Sequence, residues 1–184
     1  MIDTQGWHHR ARRLMSPNFN DRPAQVGVSM IVIHAISLPP GQFGGGFVER
    51  FFLNQLALDA HPDFAALQDV QVSAHFFIGR HGTLTQFVST EARAWHAGQS
   101  QWRGRSNCND FSVGIELEGS AERRFTQAQY QRCARLCRAL MRRYPAISTE
   151  AIVGHQDIAP DRKWDPGPCF HWNDFRSLLA HGRL

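Results

Sequence analysis

Two short apolar runs, Ile31-Val32-Ile33 and Ile152-Val153-Gly154, each end on a histidine, His34 and His155. Such runs, bounded by turn-forming residues, have the length and composition of buried strands. A histidine at a strand's exit stands where a rigid scaffold opens onto loops, the position from which a ligand can be held in a fixed place. The chain is therefore constrained to a sheet that carries two imidazoles to its edge.

The remaining pattern fills in that sheet. Ser29–Ala35 and Ala151–Gly154 are predicted strands, and Val72–Ile78 and Leu84–Val88 read as two more, joined as a hairpin at Gly79–Gly82. Ser112–Glu118 alternates, with Val113, Ile115 and Leu117 on one face and Gly114, Glu116 and Glu118 on the other. Thr126 and Gln129 have capping-box spacing. They open a helix whose apolar stripe is Tyr130, Cys133, Cys137, Leu140, Met141 and Tyr144, with Arg132, Arg135, Arg138 and Arg142 on its surface and Pro145 after its end. Phe47–Leu58 and Trp172–Ala180 are predicted as further helices, and Leu38–Gly46 is a Pro/Gly loop that either lids the site or simply connects. Strands interspersed with helices give an α/β class: a single domain over residues 1–184 with a central mixed β-sheet flanked by helices.

Composition narrows the setting. At 184 residues, 42% of them hydrophobic, the chain can bury its own core without metal or disulfide staples. No apolar run reaches the roughly 20 residues that span a bilayer, and residues 1–13 lack the apolar stretch of a secretory signal, so a cytoplasmic protein without membrane contact is expected. Cys108, Cys133, Cys137 and Cys169 form no CxxC pair, which fits reduced thiols rather than a cysteine-based zinc knuckle. The net charge of +4 is modest, and the arginines between Arg123 and Arg143 read as a solvated helix face rather than a nucleic-acid surface. No obligate protein partner is evident.

Most of the ten histidines sit in polar or loop contexts, and His75 reads as a hydrogen-bonded core residue. His34 and His155 gain meaning from the segment after Gly154, in which His155 and Asp165 are joined by a loop stiffened by Pro160 and closed by Pro166-Gly167. Its plain alternative is a turn-rich loop whose aspartates cap backbone amides. A His–His–Asp set with His34 would leave Zn2+ with net positive charge and one open position. Water there has its pKa lowered from 15.7 to roughly 7. Such a site needs a proton acceptor and a group for the oxyanion, roles for which Glu116 and Lys163 (the one lysine in the chain) are candidates. Glu118 shares the face of Glu116, and strand periodicity does not choose between them.

Four separated blocks resemble a single family. They are His34-Ala35-Ile36-Ser37-Leu38-Pro39-Pro40-Gly41, Arg93-Ala94-Trp95-His96-Ala97-Gly98, Gly114-Ile115-Glu116-Leu117-Glu118-Gly119, and Gly154-His155 through Asp165-Pro166-Gly167. The chain is similar, from about Gly6 to Arg176, to the zinc-type N-acetylmuramoyl-L-alanine amidases, and within them to the cytosolic branch acting on 1,6-anhydro-N-acetylmuramyl-L-alanine. The resemblance implies the zinc amidase fold and hydrolysis of the bond between (1,6-anhydro-)N-acetylmuramic acid and L-alanine in cell-wall recycling, with a muropeptide as the small-molecule partner. It makes His34, His155 and Asp165 the Zn2+ ligands, Glu116 the general base and acid, and Lys163 the oxyanion stabiliser. Trp95, His96, Arg105 and Asn107 become candidate substrate contacts. Ala35 stands where relatives usually carry asparagine, and Gln71 and Asn107 stand where arginines grip the peptide carboxylate, changes that bear on how the stem is held. Alternatives are an envelope amidase acting on intact murein, which needs an export signal or wall-binding module, and a non-catalytic peptidoglycan-recognition module, which usually lacks a ligand.

Overall fold

The computed structural model describes residues 1–181 of the 184. In chain order its elements are strands β1 (Arg12–Arg13), β2 (Phe19–Asn20) and β3 (Met30–Ile36), then helix α1 (Phe47–Phe52). Strands β4 (Phe76–Ile78), β5 (Leu84–Gln86), β6 (Arg93–Ala94), β7 (Gln101–Trp102), β8 (Arg105–Ser106) and β9 (Ser112–Glu118) follow. Helix α2 (Gln127–Arg143), strand β10 (Ile152–Gly154) and helices α3 (His155–Ile158) and α4 (Trp172–His181) complete the order. Six strands form one mixed sheet in the order β1-β5-β4-β9-β3-β10, in which β4 and β5 are antiparallel and the other neighbours parallel.

Each face of the sheet is covered, so its central strands are buried on both sides, as parallel strands require. Ile31, Ile33, Val113, Ile115, Leu117 and Ile152 pack beneath α2 and α4, against Tyr130, Cys133, Cys137, Leu140, Phe175 and Leu179. On the opposite face Phe77 packs with Phe51, Phe52, Phe64 and Phe87, and Met30, Val32 and Val153 pack with Phe111 and Ile158. α2 carries the predicted cap: Thr126 Oγ1 accepts from the Gln129 N–H at 3.1 Å, and Gln129 Oε1 accepts from the Thr126 N–H at 3.0 Å. Among the described residues no helix is long and apolar enough to cross a membrane.

Several boundaries differ from expectation. The helix predicted over Phe47–Leu58 stops at Phe52, because Asn54 takes a left-handed conformation at φ 57° and the chain turns away. The strand predicted over Val72–Ile78 begins only at Phe76, since Ser73 bonds to the Trp95 carbonyl and to Asn18 instead of a ladder neighbour. Likewise β5 ends at Gln86 and β10 starts at Ile152. The Gly79–Gly82 hairpin is present, with Ile78 opposite Leu84. Both faces of β9 are covered, and all seven of its residues are buried. The loop Leu38–Gly46 is tied down, with the Gly44 N–H donating to Glu118 Oε1 and Arg80 stacked 4.6 Å from the Phe43 ring centre. The arginine face of α2 also holds neighbours, as Arg132 donates to the Gly82 carbonyl and Arg138 to that of Leu178.

Candidate metal centre

The strand register assembles the site. His34 on β3 lies directly across the ladder from Glu116 on β9. β10 pairs Gly154 with Ile33, so His155, the next residue, arrives beside His34. Here the structure departs from the expected open loop: His155 starts the single turn α3, opened by the Gly154 N–H donating to Asp157 Oδ2 at 2.7 Å. The chain then returns on itself. Lys163 N–H donates to the Ala159 carbonyl and Gln156 N–H to that of Asp165, at 2.9 and 2.8 Å, which brings Asp165 back over His155. Gly154 is needed for this closure, because a Cβ there would lie 2.7 Å from Cδ of Pro166.

Three donor atoms converge. His34 Nδ1 and His155 Nδ1 are 3.0 Å apart, and each lies 3.2 Å from Asp165 Oδ2. All three residues are buried, at 1%, 3% and 6% exposure. Ligands at about 2.0–2.1 Å in a tetrahedral arrangement stand about 3.3 Å from one another, close to these separations. The donors fit a cation in a second way. His155 Nε2 lies 3.1 Å from the Ala97 carbonyl, an acceptor for Nε2–H, which leaves Nδ1, 3.2 Å from Asp165 Oδ2, as the nitrogen that can offer a lone pair to an ion. Two imidazoles and one carboxylate match a borderline divalent ion of the zinc kind.

Around the triad the titratable groups are displaced. Burial lowers His34 to about 4, against the opposing pull of Asp165. Glu116 is pushed well above the usual value, first by burial and then by Asp165, with Lys163 acting in the other direction. Its Oε1 is 4.0 Å from His34 Nδ1, and its buried Oε2 has no hydrogen-bond partner among the described residues. Glu118 differs entirely, since its oxygens accept from the Gly44 and Arg80 N–H groups. Glu116, Lys163, Trp95, Ala35 and Trp164 line a cleft of about 350 Å3 that opens on the triad.

The other sequence candidates separate. Trp95 lines the cleft with its indole N–H fixed to Asn20 Oδ1 at 2.7 Å. His96 also borders it, yet both ring nitrogens have protein partners, His34 Nε2 at 3.0 Å and Ser112 Oγ at 3.2 Å. Arg105 lies outside the cleft, stacked 3.9 Å from the Phe111 ring centre. Asn107 faces a neighbouring hollow with Gln101 and Asp161, and Arg162 borders both spaces. Sequence reasoning missed Arg162, whose Nη2 donates to the carbonyls of Ala97 and Gln99 at 2.8 and 2.6 Å. It also missed Arg22, which donates to the carbonyls of Thr90, Asn109, Asp110 and Ser112 beneath the site. Neither carries a local signal, because their partners are backbone atoms distant in sequence.

Residues 20–168 match the family described as N-acetylmuramoyl-L-alanine amidase. Over 180 residues the chain is 49% identical to the 1,6-anhydro-N-acetylmuramyl-L-alanine amidase AmpD of Escherichia coli (strain K12), covering 98% of each protein. A crystal structure of a selenomethionine AmpD derivative superimposes with a TM-score of 0.94 at 48% identity, covering 97% of this chain and 99% of that one. The amidase AmiD from E. coli, solved with anhydro-N-acetylmuramic acid-L-Ala-D-gamma-Glu-L-Lys, superimposes with a TM-score of 0.59 at 31% identity, covering 96% of this chain and 64% of that one.

Proposed function

This chain belongs to the N-acetylmuramoyl-L-alanine amidase family, and from that premise we propose that His34, His155 and Asp165 hold a catalytic zinc ion in it. The reaction is hydrolysis of the amide joining (1,6-anhydro-)N-acetylmuramic acid to L-alanine in peptidoglycan fragments, the reaction named for relatives that match nearly the whole chain. The observation that carries the zinc assignment is the convergence of three buried donor atoms within 3.2 Å of one another.

Zinc held by this set supplies positive charge that lowers the pKa of water and polarises an amide carbonyl. The protein's own groups then account for proton and charge. Glu116, with an unpartnered oxygen at the cleft, takes the proton of the attacking water and returns it to the departing alanine nitrogen. Burial favours its protonated form, which serves the acid half of this role. Lys163 borders the same cleft, where its ammonium meets negative charge developing on the carbonyl oxygen. Trp95, with its ring fixed through Asn20, offers a face to the sugar.

The substrate of this reading is a cytosolic muropeptide handled by a single catalytic domain over residues 1–184. A sheet whose strands run from Arg12 to Gly154, and a core shared across it, support one domain. Chelated and zinc-reloaded protein, incubated with anhydro-muropeptide and followed by mass spectrometry, tests the whole. Release of free stem peptide only after reloading is expected, with His34→Ala, His155→Ala and Asp165→Ala each losing zinc and turnover. Undiminished hydrolysis by any of the three would remove the metal assignment.

A further inference from the structure

His34 needs only Nδ1 to serve as a ligand, and its second nitrogen begins a chain of hydrogen bonds. His34 Nε2 is 3.0 Å from His96 Nδ1, His96 Nε2 is 3.2 Å from Ser112 Oγ, and Ser112 Oγ is 2.5 Å from the Cys108 carbonyl oxygen. The protons along this chain have one consistent assignment. A carbonyl only accepts, so the single Ser112 proton goes to Cys108. Ser112 Oγ then accepts from His96 Nε2–H, and the neutral His96 ring has no second proton. Its Nδ1 accepts from His34 Nε2–H, which leaves the His34 lone pair on Nδ1, the atom facing His155 and Asp165.

We propose that His96, backed by Ser112 and the Cys108 carbonyl, is a positioning residue that fixes the tautomer and ring plane of His34 for metal binding. The competing state is close at hand. A proton on His34 Nδ1 would donate to Asp165 Oδ2 at 3.2 Å, satisfying the metal-free pair and requiring that bond to break before an ion enters. With His34 at 1% and His96 at 8% exposure, the relay is shielded from bulk water in the folded chain. The surroundings are shaped for the His96 ring. A Cβ on Gly114 would lie 2.4 Å from its Cγ, so glycine on β9 is what lets the ring lie against the strand. His75 walls the other side, its ring centre 5.6 Å away, and takes no part in the relay. Its Nδ1 accepts from the Gly114 N–H, so its Nε2–H is left for the Ala92 carbonyl. His155 achieves the same tautomer by the shorter route to Ala97.

The inference rests on the zinc reading, and the experiment separates the two. Long-range 15N NMR of the metal-free protein reports the His34 tautomer, and competition with a chromophoric chelator reports zinc affinity. The parent is expected to carry its His34 proton on Nε2. His96→Asn, whose Oδ1 replaces the Nδ1 acceptor, should keep that tautomer and stay within a few-fold of parental affinity. His96→Ala should place His34 protons partly on Nδ1 and weaken zinc roughly 10- to 100-fold, with Ser112→Ala between. Parental tautomer and affinity in His96→Ala overturn the proposal. So does a folded His96→Asn protein as weak as His96→Ala, and parental behaviour of Ser112→Ala overturns the part given to Ser112. Should His96→Ala fail to fold, the other two variants decide. A parent with the expected tautomer that takes up no zinc would instead sink the metal reading and leave the relay standing.

Discussion

Glu116 and Glu118 sit two residues apart on the same face of the same strand, and the structure assigns them opposite consequences on substitution. In Glu116→Gln no hydrogen bond among the described residues is lost: Oε2 has no partner there and Oε1 is 4.0 Å from His34. Stability and zinc content should stay near parental values. Removing a general base and acid costs about 10²- to 10⁴-fold in turnover, or about 2.7–5.5 kcal/mol at about 1.36 kcal/mol per decade. Glu118→Gln is the reverse case. Its two carboxylate oxygens receive the Gly44 and Arg80 N–H groups, and an amide keeps one acceptor while turning a donor toward the other. With a charge-assisted bond at about 1.5–3 kcal/mol, the loss is about 2–3 kcal/mol. At about 2–4 °C per kcal/mol for a chain of this size, Tm falls by about 4–12 °C. Turnover measured as free stem peptide by mass spectrometry, paired with calorimetry of the same samples, reads both quantities. A Glu116→Gln protein within tenfold of the parent, or a Glu118→Gln protein as inactive as Glu116→Gln with unchanged Tm, would refute this division of labour.

Other substitutions follow from single contacts. Thr126→Ala removes the α2 cap and should cost about 1 kcal/mol of stability, read as Tm, without changing kcat/KM, because α2 covers the face opposite the cleft. His75 is lowered by burial from 6.5 to about 3, so the folded chain refuses a proton that the unfolded chain accepts. The resulting stability is full above pH 6.5 and declines as pH falls toward 3, at about 1.36 kcal/mol per pH unit. His75→Asn should flatten the metal-free stability profile by up to one proton across that window, and urea-derived stabilities that fall equally from pH 6 to pH 4 in parent and variant would contradict it. Arg162→Ala frees the Ala97 carbonyl that orients His155 and should weaken zinc about tenfold, measured by chelator competition.

Much of the site was legible because strand ends carry it. The runs ending at His34 and His155 place imidazoles at an edge by periodicity alone, and the alternation of Ser112–Glu118 puts Glu116 on one face. The choice between Glu116 and Glu118 was not legible from the pattern, because it depends on where the Leu38–Gly46 loop lands. Burial of that whole face was not legible either, because its cover comes from segments distant in sequence. The end of α1 turns on the left-handed backbone of Asn54, which competes with an otherwise helical pattern. His96 entered as a candidate substrate contact, and its link to His34 needed ring positions that no spacing encodes.

The pairing of His34 with Glu116 across a parallel ladder makes the spacing of base and ligand a property of backbone register. Long excursions lie between these strands, and they can be lengthened or shortened without disturbing the match. A single residue deleted within β9 ahead of Glu116 would turn its carboxylate into the helical layer and bring an apolar side chain to the cleft. Evolution of new substrate preference in such a scaffold is thus steered into the connecting segments, while the three strands that meet at His34 tolerate exchange of side chains but no change of length.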